Sequence, residues 1–282
     1  MSAALPPLLT RPLHAALLEA RAAGVASLDC SLDLELSTTT VAIGAQLWSA
    51  QGRHYPYAEV CRERTVYHWT GSGFEPVARY GNALYKLVPS SWGPPTFEID
   101  GIKMLPTARV SPYEDARAKV ALIEPRGKTI LDTCAGLGYF AGCCLRAGAA
   151  QVLSFEKATE VLWLRSLNPW SPDSAWSQQD CSGLRLVPAD VTSAIVELAA
   201  ASVDAVLHDP PRFGIAGELY SQVFYEQLAR VLRARGRLFH YTGTPNRLSR
   251  GRNLPQEVSR RLQRAGFSTE LSADGVLAHK RR

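Results

Sequence analysis

The chain has 282 residues and a formal net charge of +5 at pH 7, with 46% hydrophobic and 20% charged residues. This composition is typical of a globular protein, and it excludes a disordered chain, a collagen-like chain and a small disulfide-stapled domain. No run approaches the roughly 18 apolar residues that span a bilayer, and three prolines and an arginine interrupt the first 24 residues. We therefore expect a cytoplasmic protein without a signal peptide or membrane anchor.

Six cysteines are spread along the chain without a Cys-x-x-Cys pair, and no histidine stands at the spacing of zinc ligands. This pattern favours reduced thiols in an intracellular enzyme over a disulfide framework, and it predicts no metal site.

The positive charge is concentrated at one end of the chain. Residues 1–110 are neutral and residues 111–230 carry −4, whereas residues 231–282 hold twelve basic and three acidic side chains, a charge of +9. Such asymmetry favours a polyanionic partner such as a nucleic acid. The alternative is that arginine is the default surface residue, since 25 of the 31 basic residues are arginine.

The first part of the chain has the pattern of a small β-rich unit. An Ala-rich stretch at 13–23 predicts a short helix, and alternating β-branched stretches at 27–37, 39–48 and 64–71 predict strands separated by turns. We place this unit at residues 1–110 and expect it to recognise the substrate.

From residue 111 the pattern changes to alternating strands and helices, which predicts a parallel sheet with helices on both faces. The fold class is therefore α/β, with residues 111–282 forming a Rossmann-like domain. Strands are predicted at 129–134, 151–156, 183–190, 203–209 and 236–243, followed by a closing hairpin at 267–281.

A glycine-rich loop joins the first predicted strand to its helix, in the order Asp132-Thr-Cys134-Ala-Gly136-Leu-Gly138. Glycines let the backbone approach a ligand, and a helix N-terminus offers free N–H groups. The spacing also resembles a nicotinamide-cofactor fingerprint, but the Asp132 carboxylate would repel a pyrophosphate and attract a cofactor that carries positive charge. A glycine-rich turn without a ligand is the remaining alternative.

Two more carboxylates close the next predicted strands. Glu156 ends the second strand, where it is placed to accept hydrogen bonds from both ribose hydroxyls, and Asp190 ends the third, where it is placed to face an adenine amino group. A single exposed glutamate at a strand end is common. Three consecutive strand ends with a carboxylate indicate a binding site, because ligands of open α/β sheets bind at those ends.

The fourth predicted strand ends in the motif His208-Asp209-Pro210-Pro211-Arg212-Phe213. Two prolines stiffen the loop, so that the Asp209 carboxylate and the Asp209 and Pro210 carbonyls form a rigid group of acceptors. Such a group suits a substrate amine, because it holds the N–H groups while the nitrogen lone pair faces an electrophile. A simple strand-terminating turn is the alternative.

These motifs together resemble a class I S-adenosylmethionine-dependent methyltransferase over residues 129–282. The resemblance implies that S-adenosylmethionine is the cofactor, bound by Asp132, Cys134, Gly136, Gly138, Glu156 and Asp190. It implies that Asp209, Pro210, Pro211 and Phe213 are catalytic and that an exocyclic base amine is the methyl acceptor. The segments DTCAGLGY, LNPWSP and HDPPRFGIAGELYSQVFY, with GRLFHYTG, resemble more narrowly an archaeal-type family of predicted methyltransferases, which favours a structural RNA, rRNA or tRNA, as the substrate.

The chain departs from the amine-methylase motif at its fourth position, where Arg212 replaces an aromatic residue. Either Phe213 takes over stacking on the target base, or the Arg212 guanidinium stacks or binds phosphate.

A basic loop follows the fifth predicted strand and supplies three further candidate substrate contacts, Arg247, Arg250 and Arg252. Arginine loops of this composition suit phosphate backbones, and the alternative is an ordinary solvated loop. Six aromatic residues of the first unit are either a stacking surface or, by the more common pattern, core: Trp48, Tyr55, Tyr57, Tyr67, Trp69 and Trp92.

Three other functions can be weighed on these residues. An aminopropyltransferase of the spermidine synthase type uses the same domain with a small β-rich unit before it, but it binds polycationic amines in an acidic site. A small-molecule or protein methyltransferase would keep the cofactor site. A catalytically silent RNA-binding subunit would be expected to lose the strand-end carboxylates, and all are present.

Overall fold

The structure is a computed structural model that describes residues 6–243, 253–272 and 274–281. It divides into two compact units. The first unit comprises Met1–Tyr113 and Trp163–Gln178, and the second comprises Glu114–Leu162 and Gln179–Arg282.

The first unit is β-rich, as predicted, and its described part holds one helix and eleven short strands. Helix α1 spans Arg11–Ala22, and the strands are β1 (Leu8–Leu9), β2 (Ser27–Cys30), β3 (Thr39–Ile43), β4 (Leu47–Ala50), β5 (Arg53–Pro56), β6 (Tyr67–Trp69), β7 (Phe74–Pro76), β8 (Ala78–Tyr80), β9 (Leu84–Val88), β10 (Thr96–Ile99) and β11 (Ile102–Lys103). They form three small antiparallel sheets, ordered β1-β6-β7, β2-β3-β4-β5 and β11-β10-β9-β8.

Aromatic residues form much of the core of this unit. Trp48 and Tyr55 pack 4.8 Å apart, centroid to centroid, and Tyr67 is buried with them. The core interpretation is therefore confirmed for these three residues. Trp92, in contrast, is 47% exposed.

Residues 163–178 group with the first unit, although they lie within the region of strand–helix alternation. The indole N–H of Trp170 donates to the carbonyl of Leu34 over 2.8 Å, and the Arg79 guanidinium lies 4.3 Å from the centroid of the Trp163 ring. Because of these long-range contacts the segment belongs to the first unit, so the two units are not separated by a single division near residue 110.

The remaining helices and strands alternate along the chain. They are α2 (Pro112–Leu122), β12 (Thr129–Asp132), α3 (Tyr139–Arg146), β13 (Gln151–Phe155), α4 (Thr159–Ser166), β14 (Leu184–Val187), α5 (Val191–Ala194), β15 (Val203–His208), α6 (Gln222–Val231), β16 (Leu232–Tyr241), α7 (Leu254–Arg264), β17 (Phe267–Ser272) and β18 (Gly275–Lys280), with short 3-10 helices at Ile195–Glu197 and Gly217–Tyr220.

Seven of the described strands form one sheet in the order β14-β13-β12-β15-β16-β18-β17. The first five are parallel, and β18 runs antiparallel to both of its neighbours. The predicted parallel sheet and its closing hairpin are confirmed. The strand order reverses between β12 and β15, and ligands of such sheets bind outside the carboxyl ends of the strands at that point.

The central strands are apolar because both faces of the sheet are covered. Leu131 on β12, Val206 on β15 and Leu238 on β16 are fully buried, and Phe224 and Leu228 of α6 pack in the same core. Near-continuous apolar strands are typical of parallel sheets with helices on both sides.

Helix α5 is shorter than the predicted helix over 193–202, and a 3-10 turn follows it. The Arg230 guanidinium donates to the carbonyls of Ile195 and Leu198 over 2.7 and 2.6 Å. These contacts satisfy carbonyl groups that a continued helix would use, so the chain leaves the helix early. None of the described helices combines the length and the apolar character that crossing a bilayer requires.

Candidate active site

The loop after β12 is built from a buried carboxylate and two left-handed glycines. Asp132 is 1% exposed and accepts a hydrogen bond from the Ser154 hydroxyl over 2.6 Å. Gly136 and Gly138 have φ values of +50° and +82°, which other residues rarely adopt, and α3 begins at the next residue. The loop therefore brings bare backbone to the end of the central strand, as the motif predicted.

Glu156 ties this loop to the neighbouring strand. It directly follows β13, and its two carboxylate oxygens accept the N–H groups of Gly136 and Ala158 over 3.0 and 2.9 Å. The Ala135 N–H also donates to the carbonyl of Phe155 over 2.8 Å. The glutamate is thus held in one orientation beside the glycine loop.

Asp190 lies beyond the end of β14 and caps α5. Its Oδ1 accepts the N–H and the hydroxyl of Thr192 over 2.9 and 2.7 Å, and its Oδ2 lies 3.5 Å from the Nζ of Lys157. Partial burial raises the pKa of Asp190. The Thr192 hydrogen bonds and the Lys157 charge lower it by more, so the net shift is downward. The carboxylate therefore stays ionised at neutral pH.

A pair of buried histidines holds the ends of β12, β15 and β16 together. The Nδ1 of His208 lies 2.7 Å from the Thr133 hydroxyl, and its ring lies 4.4 Å from that of His240, which in turn contacts the Tyr225 hydroxyl over 2.8 Å. Burial lowers the pKa of His208 well below its usual value and that of His240 to about 3. Both rings are therefore neutral and serve as hydrogen-bonding groups.

Asp209 follows β15 and contacts a lysine that no sequence motif indicated as a site residue. The Nζ of Lys119, on α2, lies 3.5 Å from the Asp209 carboxylate, 2.7 Å from the Asp115 carboxylate and 3.6 Å from the centroid of the Tyr241 ring. Lys119 is 4% exposed. Burial and the nearby Asp115 raise the pKa of Asp209, while the Lys119 charge opposes that rise.

The loop after Asp209 presents an aromatic side chain. The carbonyl of Pro211 accepts the Tyr220 hydroxyl over 3.0 Å, and Pro210 is buried. Phe213 is 42% exposed, and its ring meets that of Tyr220 edge to face at 5.4 Å. Arg212 is exposed on the same loop. The aromatic residue that the motif lacks at position 212 is thus present one position later.

The other predicted site residues are placed as follows. Cys134 is partly buried in the glycine loop, and burial raises its pKa well above the usual value, so it remains a thiol. Arg247, Arg250 and Arg252 lie outside the described residues. Within the described part of the chain, no group of three or more His, Cys, Asp or Glu side chains is arranged to hold a metal ion.

The site therefore brings four predicted carboxylates, Asp132, Glu156, Asp190 and Asp209, to one edge of one sheet. Ionised carboxylates accept hydrogen bonds but cannot donate them, so this edge is suited to hydroxyl, amine and cationic groups. Four further side chains contact these carboxylates or one another at this edge, and the strand pattern alone gave no signal for them: Lys119, Asp115, Tyr241 and Lys157.

No family model matches the chain. An uncharacterized protein of the archaeon Methanocaldococcus jannaschii is 43% identical over 187 residues, which cover 66% of this chain. The chain spans 62% of the length of that relative.

Solved structures give a second comparison. A spermidine synthase in complex with the transition-state analogue AdoDATO and a spermidine synthase from Thermotoga maritima match with TM-scores of 0.55 and 0.53, each at 14% identity and over 72% of both chains. The fold is Rossmann-like. A putative S-adenosylmethionine-dependent methyltransferase from Streptococcus mutans matches with a TM-score of 0.48 and 15% identity, over 76% of this chain and 57% of that one.

Proposed function

We propose that this protein is an S-adenosylmethionine-dependent methyltransferase that methylates an exocyclic base amine of an RNA, either rRNA or tRNA. The observation that carries the proposal is the group of carboxylates at the strand ends on both sides of the point where the strand order reverses. Glu156 binds the backbone of the glycine loop directly, and β12 pairs with β15, the strand that precedes Asp209, so the proposed cofactor and acceptor motifs belong to one edge. This is where the fold binds its ligands.

The residues of this edge fit the cofactor. Gly136 and Gly138 offer backbone without side chains. In this proposal the Glu156 carboxylate would accept the ribose hydroxyls and Asp190 would accept an adenine amino group. The Asp132 carboxylate favours the positively charged end of the cofactor. When bound, S-adenosylmethionine supplies an electrophilic methyl group on a sulfonium centre.

The acceptor side is formed by Asp209 and Pro210. The Asp209 carboxylate and the Pro210 carbonyl accept the N–H groups of the base amine and turn its lone pair towards the electrophile. As the nitrogen–carbon bond forms, the bond between the methyl group and sulfur would break with S-adenosylhomocysteine as the leaving group, and the nitrogen would give up a proton to Asp209. Positioning and electrostatics account for most of the acceleration in this scheme.

Replacing Glu156 with alanine is expected to weaken the binding of S-adenosylhomocysteine about tenfold or more, because the variant cannot form charge-assisted hydrogen bonds to the ribose. Isothermal titration calorimetry measures this directly, with wild-type affinity expected in the micromolar range. Glu197→Ala, at an exposed glutamate of the same unit, is the control and should bind normally. Tighter binding of NAD(P)H than of the sulfonium cofactor would contradict the proposal.

RNA is proposed as the partner because of the charge of the last fifth of the chain. Residues 231–282 carry +9, and the described helix α7 contributes Arg260, Arg261 and Arg264. The exposed Phe213 supports a base as the acceptor, since aromatic side chains stack on unpaired bases of RNA.

Replacing Arg247, Arg250 and Arg252 together with alanine is expected to flatten the salt dependence of RNA binding. Removing one arginine–phosphate interaction lowers the log–log slope by about 0.7 to 0.9, so the slope of the triple variant should fall by about two units. Its affinity for S-adenosylhomocysteine should stay at the wild-type value. Filter binding of a folded RNA at several salt concentrations measures the slope.

A matched triple variant tests whether the effect is specific to this loop. It replaces three exposed arginines elsewhere in the second unit, Arg126, Arg146 and Arg185. The control variant should keep the wild-type slope. Equal slopes for all three proteins would refute a phosphate-binding role of the loop.

Nucleoside mass spectrometry of RNA from a strain that lacks the gene tests the substrate. One methylated nucleoside should be absent from the rRNA or tRNA fraction and return when the wild-type gene is restored. An unchanged set of modified nucleosides would contradict an RNA substrate while leaving methyl transfer to a small molecule or protein open.

A further inference from the structure

A buried lysine stands directly against the proposed catalytic carboxylate. Lys119 lies on α2, ninety residues before Asp209, and its Nζ is 3.5 Å from the Asp209 carboxylate. Asp115, one helical turn earlier, lies 2.7 Å from the same nitrogen, and the face of the Tyr241 ring lies 3.6 Å away. Two carboxylates and an aromatic ring thus surround one ammonium group.

This surrounding keeps the lysine charged although it is buried. Burial alone lowers the pKa of a lysine, but Asp209 and Asp115 raise that of Lys119 above its usual value. The Tyr241 ring adds a cation–π contact, which is stronger in a site shielded from water. The cation is therefore a fixed part of the site.

The ion pair with Asp115 alone would compensate the charge of a lysine on the same helix. The contact with Asp209 has a different consequence, because Asp209 is the carboxylate that faces the acceptor. One ammonium group beside two carboxylates leaves the cluster with a formal charge of −1, compared with −2 if the lysine were absent. A fixed cation also repels a second cation that approaches the same carboxylate.

We propose that Lys119 is a positioning and specificity-determining residue, which fixes the Asp209 carboxylate and reserves the site for an electrically neutral nitrogen. This inference rests on the proposed methyl transfer to a base amine. Base amines are uncharged at neutral pH, whereas polyamines are protonated. The same fold that accepts a polyamine in an acidic site would therefore reject it here.

The inference is tested with spermidine as a probe of amine charge, in the presence of saturating S-adenosylhomocysteine. Wild-type protein should bind spermidine no more tightly than about millimolar in calorimetry. Lys119→Met should tighten that binding tenfold or more, since two carboxylates lose their compensating charge. Lys119→Arg should restore rejection of spermidine, because it restores the positive charge.

Two controls separate this role from a structural one. Lys128→Met removes a less buried lysine that likewise lies near a carboxylate, that of Glu124 at 4.0 Å. This variant should leave spermidine binding weak. Asp115→Asn removes the helical partner of Lys119 and keeps the cation beside Asp209, so spermidine should remain excluded. If Lys119 only stabilises the helix, Asp115→Asn and Lys119→Met should both melt at a lower temperature and neither should gain affinity for spermidine.

The outcomes also distinguish this inference from the proposed function. Tight spermidine binding by the wild-type protein would overturn both and favour an aminopropyltransferase. Exclusion of spermidine that is lost in Lys119→Met and restored in Lys119→Arg would support the inference even if no RNA were methylated. Unchanged spermidine binding in a folded Lys119→Met protein would overturn the inference alone. If Lys119→Met does not fold, Lys119→Gln replaces it with the same expected result.

Discussion

Replacing Asp209 with alanine is expected to lower the rate of methyl transfer about a hundredfold or more, while the affinity for S-adenosylhomocysteine stays within a few-fold of wild type. Asp209 is proposed to bind the methyl acceptor, and the cofactor is proposed to contact the neighbouring strand ends. A hundredfold loss corresponds to about 2.7 kcal/mol of transition-state stabilisation. Single-turnover transfer of labelled methyl groups separates this chemical step from product release.

Asp204 provides the matched control, because it lies on β15 at the opposite end from Asp209. Its carboxylate accepts the Thr129 N–H over 2.8 Å and pairs with Arg233 over 2.5 Å, so Asp204→Ala should lower stability without a comparable loss of turnover. Phe213→Ala should raise KM for the RNA more than it lowers kcat if its exposed ring stacks on the target base. A fully active Asp209→Ala protein would place the reacting centre elsewhere.

Acid is expected to destabilise the second unit through the buried pair His208 and His240. Burial lowers the pKa of both rings in the folded protein, so below about pH 6.5 the unfolded chain binds protons that the folded protein does not. Stability from this source is complete above pH 6.5 and is lost as the pH falls towards about 3, the pKa of His240. A ring that stays neutral in the folded protein costs at most about 1.4 kcal/mol per pH unit below pH 6.5, or roughly 2 to 3 kcal/mol for His240 between pH 6.5 and 4.5, and His208 adds a loss in the same direction.

Urea unfolding at a series of pH values measures this loss. His240→Gln should reduce the slope of unfolding free energy against pH. It should also lower the stability at pH 7.5, because the substitution alters the hydrogen bond with Tyr225. His279→Gln, at a partly exposed histidine of the same sheet, is the control and should keep the wild-type slope. A slope unaffected by His240→Gln would show that His240 does not contribute to the acid sensitivity.

The strand-end carboxylates could be predicted from the sequence because their placement depends only on local order along the chain. Asp132 ends β12, Glu156 follows β13 and Asp209 follows β15. Parallel strands in one sheet bring their carboxyl ends to the same edge, so the strand–helix alternation is enough to place them together. The N-terminal strands were predicted in kind but not in sheet order, since antiparallel pairing of short strands leaves many arrangements open.

Lys119 could not be predicted in the same way. Its spacing from Asp115 indicates an ordinary ion pair on an exposed helix, and nothing in the intervening ninety residues indicates a contact with Asp209. The contact depends on how α2 packs beside the sheet. The early end of α5 has a similar cause, because Arg230 binds the carbonyl of Ile195, the residue after α5, from thirty-five residues further along the chain.

The segment around Trp170 shows a third limit of local patterns. Strand–helix alternation assigns residues 163–178 to the Rossmann-like domain. The indole N–H of Trp170 instead donates a hydrogen bond to the carbonyl of Leu34, and the segment belongs to the first unit. A single tryptophan in a proline-rich loop carries no periodicity that would indicate its distant partner.

The fate of a labelled methyl group tests the proposed methyl transfer to RNA most directly. Purified protein is incubated with S-adenosylmethionine labelled in the methyl group and with RNA from a strain that lacks the gene, and the digested nucleosides are separated. If the protein methylates a base amine of RNA, label should appear in one base-methylated nucleoside with the wild-type protein and fall about a hundredfold with Asp209→Ala. Label in no nucleoside, together with transfer of an aminopropyl group from the decarboxylated cofactor to putrescine, would contradict it.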